Sequence, residues 1–292
     1  MKKLAPLFIL AAGILWGCIG IFVRRLNAMG LYSMDIVFLR AVATALAMGA
    51  FLLIFNRKMF RIRLKDLWCF LGTGICSIVF FNFCYFKAIT LTSLSVAAVL
   101  LYTAPAIVMV LSFFLFGEKF TKRKVLALVL TFVGCVLVTG VLTDAGNVTG
   151  LGVLTGLGAG LGYALYSIFS RYALERGYHS FTITFYTFLI AIVGAAFFAD
   201  VPGVLCVAAK DAGTVLFALG FGIVCTVIPY LLYTAGLQHV ENGKASIIAS
   251  IEPVTATMLG IFLFAEKTTV TGIAGVVIVI LALAIANTQK AE

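Results

Sequence analysis

Residues 101–105, Leu-Tyr-Thr-Ala-Pro, and residues 249–253, Ala-Ser-Ile-Glu-Pro, hold corresponding positions in the two halves of the chain. Each stretch leads into a Glu-Lys pair, at residues 118–119 in the first half and at residues 266–267 in the second. The prolines, the glutamates and the lysines are each separated by 148 positions. Such a constant spacing indicates an internal duplication in which each copy is about half the chain.

The duplication continues toward the start of each half. Residues 13–16, Gly-Ile-Leu-Trp, match residues 160–163, Gly-Leu-Gly-Tyr, at a spacing of 147 positions. One insertion between the two blocks accounts for the change in spacing. We therefore expect two repeats, the first at residues 1–146 and the second at residues 147–292.

The composition indicates that lipid is the solvent of this chain. Of its 292 residues, 63% are hydrophobic and 11% are charged, which is too little charge to cover a soluble domain of this size. The apolar runs are about 20 residues long, enough for a helix to cross a hydrocarbon core, and they lack the alternation of barrel strands. We predict an all-α integral membrane protein with ten transmembrane helices, at residues 4–24, 34–55, 67–87, 93–116, 124–142, 151–171, 181–199, 213–236, 243–264 and 270–287.

The charge distribution predicts how these helices are oriented. Fifteen of the 21 Lys and Arg residues fall in loops or termini on one side and five on the other. Basic loops remain in the cytoplasm, so we expect both termini there and the protein in the cell membrane. Because each repeat holds an odd number of helices, the second five-helix repeat is inverted relative to the first. Inverted repeats place a substrate site near the membrane midplane and predict alternating access.

Several short motifs resemble the EamA branch of the drug/metabolite transporter superfamily. They are Ile-Leu-Trp-Gly at 14–17, Phe-Leu-Arg at 38–40, Thr-Ala-Pro at 103–105 with Gly-Glu at 117–118, and Glu-Pro at 252–253 with Ala-Glu at 265–266. The resemblance covers essentially the whole chain and implies a ten-helix transporter, usually an exporter, of small metabolites. Two departures occur: Tyr163 replaces the tryptophan in the second copy, and residues 18–20 are Cys-Ile-Gly where many relatives carry a polar residue.

Two charged residues fall inside apolar runs. Placing a charge near the centre of a membrane helix costs roughly 2.5 to 3.5 kcal/mol, so Arg40 and Glu252 are expected to face protein or water. Arg40 is a candidate for contacting an anionic substrate group, or alternatively a structural anchor. Glu252 is a candidate for binding a substrate amine or for proton coupling, or alternatively a structural acid bonded to Ser250 or a neighbouring helix.

The two prolines of the repeat, Pro105 and Pro253, lie inside predicted helices and deprive the carbonyls of Leu101 and Ala249 of their usual donor. We expect both helices to kink and the pair to act as hinges for two symmetric gates, with a static bend as the alternative. The glutamates at 118 and 266 stand at helix ends beside lysines and are expected to be interfacial, solvated charges.

Aromatic side chains with polar tips are candidates for lining a substrate cavity. If several converge, they could stack on a flat ring or enclose an organic cation, with hydrogen bonding between helices as the alternative. The candidates are Trp16, Tyr85, Tyr102, Tyr163, Tyr166, Tyr230 and Tyr233, with Asn82 beside them.

The sequence argues against several other classes of protein. No His-Glu-x-x-His or nucleophile motif for an intramembrane enzyme is present, nor a channel filter loop, nor a Gly-x-x-x-x-Gly-Lys motif for ATP hydrolysis. The seven cysteines contain no Cys-x-x-Cys, so we expect no metal site and no cofactor. The cations are scattered over short loops, which argues against nucleic-acid binding.

We therefore expect a secondary transporter that exports a small, amino-acid-like or aromatic metabolite across the lipid bilayer. A multidrug, nucleobase or quaternary-amine transporter of the same fold is the alternative.

Glycines repeat every four residues at 152, 156 and 160, which permits close helix packing within the chain or, alternatively, a homodimer seam. We expect the monomer to be competent for transport.

Overall fold

A computed structural model describes residues 2–142, 148–210, 212–266 and 269–287, and every regular element in them is helical. The expected boundary between the repeats at residues 146 and 147 lies outside the described residues, as does Lys267. The long helices are α1 (Ala5–Gly17 and Ile19–Ala28), α2 (Ser33–Phe55), α3 (Leu67–Leu71, Gly72–Val79 and Phe80–Leu91), α4 (Leu94–Leu101 and Ala104–Phe116), α5 (Lys122–Val138), α6 (Gly150–Glu175), α7 (Ser180–Ala196), α8 (Ala212–Gly222, Ile223–Val227 and Ile228–Leu237), α9 (Asn242–Ala249 and Glu252–Phe264) and α10 (Val270–Asn287).

Eight of these helices are long and apolar enough to cross a membrane. The other two, α5 and α7, have 17 residues each, which is the lower end of the length that spans a hydrocarbon core. A short helix, Val201–Ala208, follows α7 at an angle of 115°, and counting this bent pair as one span gives nine. Length and composition therefore support eight or nine spans among the described residues, compared with the ten predicted.

The outer surface of the helices is apolar, as expected for contact with lipid. Large side chains such as Phe114, Phe197 and Phe262 are at least three-quarters exposed. The largest buried cluster lies where α1, α2, α7 and α8 meet, around Ile9, Phe188 and Phe221. The interior of the bundle is thus filled by side chains, and the candidate site must be found in small cavities within it.

Helices α4 and α9 are interrupted at equivalent positions. The first segment of α4 ends at Leu101 and the second begins at Ala104, whereas in α9 the corresponding residues are Ala249 and Glu252. Each proline is the second residue of the new segment and not an interior residue of one continuous helix. Proline is tolerated in a first helical turn because the amides there have no partner within the helix. The expected kinks are therefore two-residue turns, at residues 102–103 and 250–251, and each interrupted helix still counts as one span.

Helices α3 and α8 each contain a π-helical stretch, a feature that the sequence analysis missed. The stretches are Gly72–Val79 and Ile223–Val227, and their last residues are separated by the same 148 positions as the prolines. Such stretches are rare and are often found at functional sites, because the extra residue per turn displaces side chains and backbone carbonyls. The duplication is thus accompanied by matching irregularities in the backbone.

Glycines allow the broken helices to pack closely against the opposite half of the chain. A Cβ atom at Gly13 of α1 would lie 2.8 Å from the carbonyl oxygen of Ala249 at the α9 break. A Cβ atom at Gly160 of α6 would lie 3.0 Å from the carbonyl oxygen of Leu100, beside the α4 break. The carbonyls near the breaks therefore face glycine backbones, and the two halves interlock crosswise.

Candidate functional site

The two helix breaks meet at the centre of the bundle. A cavity of about 10 Å³, room for about one water molecule, lies between them. Its lining includes Tyr102 and Pro105 from the α4 break, Ser250 and Glu252 from the α9 break, and Tyr163 from α6. Side chains from both halves of the chain thus converge on one point.

Glu252 is the first residue of the second segment of α9 and is partly buried. Its Oε2 atom accepts a hydrogen bond of 3.1 Å from the hydroxyl of Tyr163. The position at a helix N-terminus also favours a carboxylate through the helix dipole. No ion pair to Glu252 occurs within the described part of the chain. Because a hydroxyl and not a cation is its partner, the carboxylate can still accept a positively charged group.

Trp16 of α1 is the centre of an aromatic cluster. Its ring centroid lies 5.2 Å from that of Tyr230, 5.3 Å from that of Tyr233 and 6.3 Å from that of Tyr163. Tyr166 joins the cluster at 4.8 Å from Tyr230 in an edge-to-face arrangement. These five residues line a second cavity, of about 20 Å³. Edge-to-face pairs of this kind are favourable, so the rings hold one another in place around the cavity.

Apart from Tyr163, which donates to Glu252, the predicted tyrosines fall into two groups by the partners of their hydroxyls. Tyr166 shares a hydrogen bond of 2.8 Å with Thr234, and Tyr233 shares one of 2.7 Å with Ser167, so both join α6 to α8. By contrast, the hydroxyls of Tyr85, Tyr102 and Tyr230 make no hydrogen bond to any described residue. The first group therefore has a structural role, and the second group is available for a ligand.

We expect Tyr233→Phe to lower the stability of the folded protein by about 1 to 3 kcal/mol, because the buried hydroxyl of Ser167 would lose its partner. Tyr102→Phe is the matched change at a free hydroxyl, and we expect it to leave thermal unfolding in detergent unchanged while altering transport. Equal loss of stability in the two variants would contradict this division of the tyrosines.

Arg40 of α2 is buried, with 6% of its surface exposed, and forms no ion pair with any described residue. Its Nε atom lacks a hydrogen-bond partner, and its guanidinium carbon lies 5.9 Å from the ring centroid of Phe221. The indole nitrogen of Trp16 is also buried and unpaired. The interior of the bundle thus holds two buried donors, the Nε atom of Arg40 and the indole nitrogen of Trp16, that lack acceptors among the described residues, which is a costly arrangement for a folded protein.

The structure places three of the predicted substrate-contact residues away from the two small central cavities. Arg40 lines neither of these cavities, nor the larger one described below. Asn82 donates its side-chain amide to the carbonyl of Ile78, 2.8 Å away in its own helix, and lines none of the cavities described here. Tyr85 lines a larger cavity of about 310 Å³, which Tyr102 also reaches. Ser77 and Ser167 also line the cavity of the aromatic cluster and were not predicted. The sequence feature that could have indicated these two serines is that each is a small polar residue within an apolar run.

The two glutamates at the ends of α4 and α9 differ in their surroundings. Glu118 is not a solvated interfacial charge as predicted, because its carboxylate accepts hydrogen bonds from the backbone amides of Asn242 and Gly243 at the start of α9. Burial raises the pKa of Glu118, and the two amides oppose this rise by stabilising the carboxylate. Glu266 is exposed and forms an ion pair with Arg24.

Comparison with known proteins places the chain in a family. The model of the EamA-like transporter family matches residues 3–140 and again residues 150–288. An uncharacterized transporter of Archaeoglobus fulgidus is 32% identical over 272 residues, which cover 91% of this chain and 90% of the relative. The uncharacterized transporters YxxF and YwfM of Bacillus subtilis are each 25% identical, over 88% and 95% of this chain and 81% and 91% of their own lengths.

A solved crystal structure has a similar fold. It superposes with a TM-score of 0.78 over 98% of this chain and 97% of its own, at 17% identity. At this identity the likeness concerns the fold alone. Together with the apolar helices, the two family matches and the relatives named as transporters identify a multi-pass membrane protein. The chain belongs to the EamA-like transporter family.

Proposed function

We propose that this protein is a secondary-active exporter of a small, amino-acid-like metabolite. In this proposal it lies in the cell membrane as ten transmembrane helices, arranged as two inverted repeats at residues 1–146 and 147–292. Both termini are cytoplasmic, and one monomer carries out transport by alternating access. The substrate gradient or an ion gradient supplies the energy, and the protein has no enzymatic activity.

The matching irregularities of the two halves support the alternating-access part of this proposal. The breaks at residues 102–103 and 250–251 and the π-helical stretches of α3 and α8 recur at the same spacing as the sequence repeat. Two symmetric gates require such pairs, because each half must adopt in turn the conformation of the other. Pro105 and Pro253 then act as hinges, since a helix interrupted next to a proline has fewer backbone hydrogen bonds to lose when it changes its angle.

The proposed substrate class rests on Arg40, which is buried and forms no ion pair with any described residue. A guanidinium group inside the membrane requires an anion, and no described acid forms an ion pair with it. A substrate carboxylate is the planar acceptor that this group binds best. The indole nitrogen of Trp16 is a second donor, and Glu252 can accept a substrate amine. The arrangement therefore suits a zwitterion with a side chain small enough for the aromatic cluster.

The aromatic cluster itself favours a second candidate. Trp16, Tyr163 and Tyr230 present ring faces to one cavity, and such a group of rings can bind a quaternary amine or stack on a nucleobase. In this alternative Glu252 binds or balances the cation, whereas Arg40 serves only to anchor α2. The two candidates differ in whether the substrate needs a carboxylate.

Thermal unfolding of the detergent-purified protein tests this difference. The ligands are L-phenylalanine, its amide, N-acetyl-L-phenylalanine and phenethylamine, a parallel threonine series, tetraethylammonium and adenine. We expect only the free amino acids to raise the melting temperature, since a ligand present at about 100 times its dissociation constant adds roughly 2.7 kcal/mol to the folded state. Stabilisation by tetraethylammonium or adenine instead would favour the alternative. Equal stabilisation by an amino acid and its amide would contradict a role for the carboxylate.

A further inference from the structure

Glu118 joins the two halves of the chain at one end of the bundle. Its Oε1 atom lies 2.6 Å from the amide nitrogen of Asn242, and its Oε2 atom lies 3.1 Å from that of Gly243. These are the first two residues of α9, whose amides have no partner within the helix. The carboxylate thus joins the end of α4 to the start of α9 through two charge-assisted hydrogen bonds.

The equivalent contact at the other end of the bundle is open. Moving 148 positions along the chain relates Glu118 to Glu266, and relates Asn242 and Gly243 to Leu94 and Ser95, the first two residues of α4. The amides of Leu94 and Ser95 make no hydrogen bond to any described residue. All three residues line the same cavity, of about 310 Å³. The carboxylate and its two potential donors therefore face one cavity without meeting.

The equivalent arginines of the two halves have different partners, and this accounts for the different contacts of the two carboxylates. Arg24 forms an ion pair with Glu266, whereas the equivalent Arg171, 147 positions later, donates to the carbonyl of Leu237 at 2.6 Å and to Glu175 at 3.1 Å. One glutamate is thus bound to an arginine and the other to a helix N-terminus. Each half of the chain thus has an equivalent glutamate, arginine and helix N-terminus, but the contacts among these groups differ between the halves.

We propose that Glu118 and Glu266 are alternating gates, each of which closes its end of the transporter by binding the first two amides of the broken helix in the other half. In the opposite state, Glu266 leaves Arg24 and binds Leu94 and Ser95, while Glu118 leaves α9. The cavity of about 310 Å³ is then closed, and its counterpart opens beside Asn242. This inference rests on the proposed alternating access, and it names the contacts that hold each state.

The strengths of the contacts predict the effect of removing each carboxylate. Glu118→Gln loses charge-assisted bonds that are partly buried, and this favours the opposite state. Glu266→Gln loses an exposed ion pair in the present state and the stronger amide contact in the opposite state, so the present state gains. Leu94→Pro removes one receiving amide and leaves Glu266 in place. Proline fits this first helical position, which is exposed.

Labelling of a cysteine in the open cavity measures the balance between the states. The reporter is Ala98→Cys in purified protein whose native cysteines are replaced, labelled with a polar maleimide. We expect Glu118→Gln to slow labelling about tenfold, as the loss of one charge-assisted hydrogen bond implies. Glu266→Gln and Leu94→Pro are expected to leave it as fast or faster. Asp200→Asn is the matched control, because its exposed carboxylate also accepts a hydrogen bond from a backbone amide in the first turn of a helix but bonds Gly203 of that same short helix, and it should have no effect.

The experiment needs no substrate, so it separates the gate from the proposed cargo. Opposite effects in Glu118→Gln and Glu266→Gln would support the gates even if no amino acid binds. Unchanged labelling in Glu118→Gln, in protein with the parental melting temperature, would overturn them even if amino acids are transported. Slower labelling in Leu94→Pro would also contradict the inference, because that variant weakens only the opposite state. A variant that fails to unfold cooperatively is replaced by Asp at the same glutamate, which shortens the side chain and is expected to act in the same direction.

Discussion

Replacing Arg40 by Gln is expected to weaken amino-acid binding about 10- to 100-fold and to leave the melting temperature of the ligand-free protein unchanged or higher. The affinity falls because the substrate carboxylate loses a charge-assisted hydrogen bond in a dry site. The fold does not lose stability, because the arginine is a buried charge without a described counterion. A residue that serves the fold alone would show the reverse pattern.

Thermal-shift titration with L-phenylalanine, L-threonine and their amides measures both quantities in one experiment. We expect Arg40→Gln to abolish the preference for the free acid over the amide, since only the acid carries the group that Arg40 binds. Arg176→Gln is the control, because that guanidinium contacts the carbonyl of Tyr172 and Asp66 and therefore stabilises the fold. It should lower the melting temperature and leave affinity unchanged. A loss of stability in Arg40→Gln with unaltered selectivity would show that Arg40 is an anchor.

Replacing Gly13 or Gly160 by Val is expected to cost the folded state at least about 3 kcal/mol each, the upper range for overpacking a dense interior. The new side chain would begin 2.8 Å from the carbonyl oxygen of Ala249 in the first case and 3.0 Å from that of Leu100 in the second. A backbone carbonyl beside a helix break cannot swing aside as a flexible side chain would. The helices would have to separate, and the site between the two breaks would open.

The effect is measured as the fraction of monodisperse protein after detergent extraction, together with the melting temperature. Gly20→Val in α1 and Gly150→Val in α6 are matched controls, because a Cβ atom at either position would meet nothing within 4 Å. We expect these two variants to behave like the parent protein. If Gly13→Val and Gly160→Val were as stable as the controls, the crosswise packing of the two halves would be wrong.

Several features of the site could be read from residue types and spacing. The prolines at 105 and 253 located both irregular helices, and the tyrosines in apolar runs indicated where rings would gather. Asn82 shows where prediction from residue type fails. A buried side-chain amide can donate its hydrogen bond within its own helix, as Asn82 does to the carbonyl of Ile78, and it then needs no ligand. The π-helical stretches escaped prediction because an extra residue in a turn leaves no clear mark on an apolar sequence.

The sequence by itself determined the lipid environment, the helical class, the internal duplication and the family, because these follow from composition and from spacing along the chain. Only the tertiary structure decided which polar groups are paired. Tyr163 meets Glu252 across 89 positions, and Glu118 meets Asn242 across 124. Sequence symmetry treats Glu118 and Glu266 alike, yet one binds a helix N-terminus and the other binds Arg24. Contacts between residues far apart in the sequence decide which partner each glutamate has, and spacing along the chain does not specify those contacts.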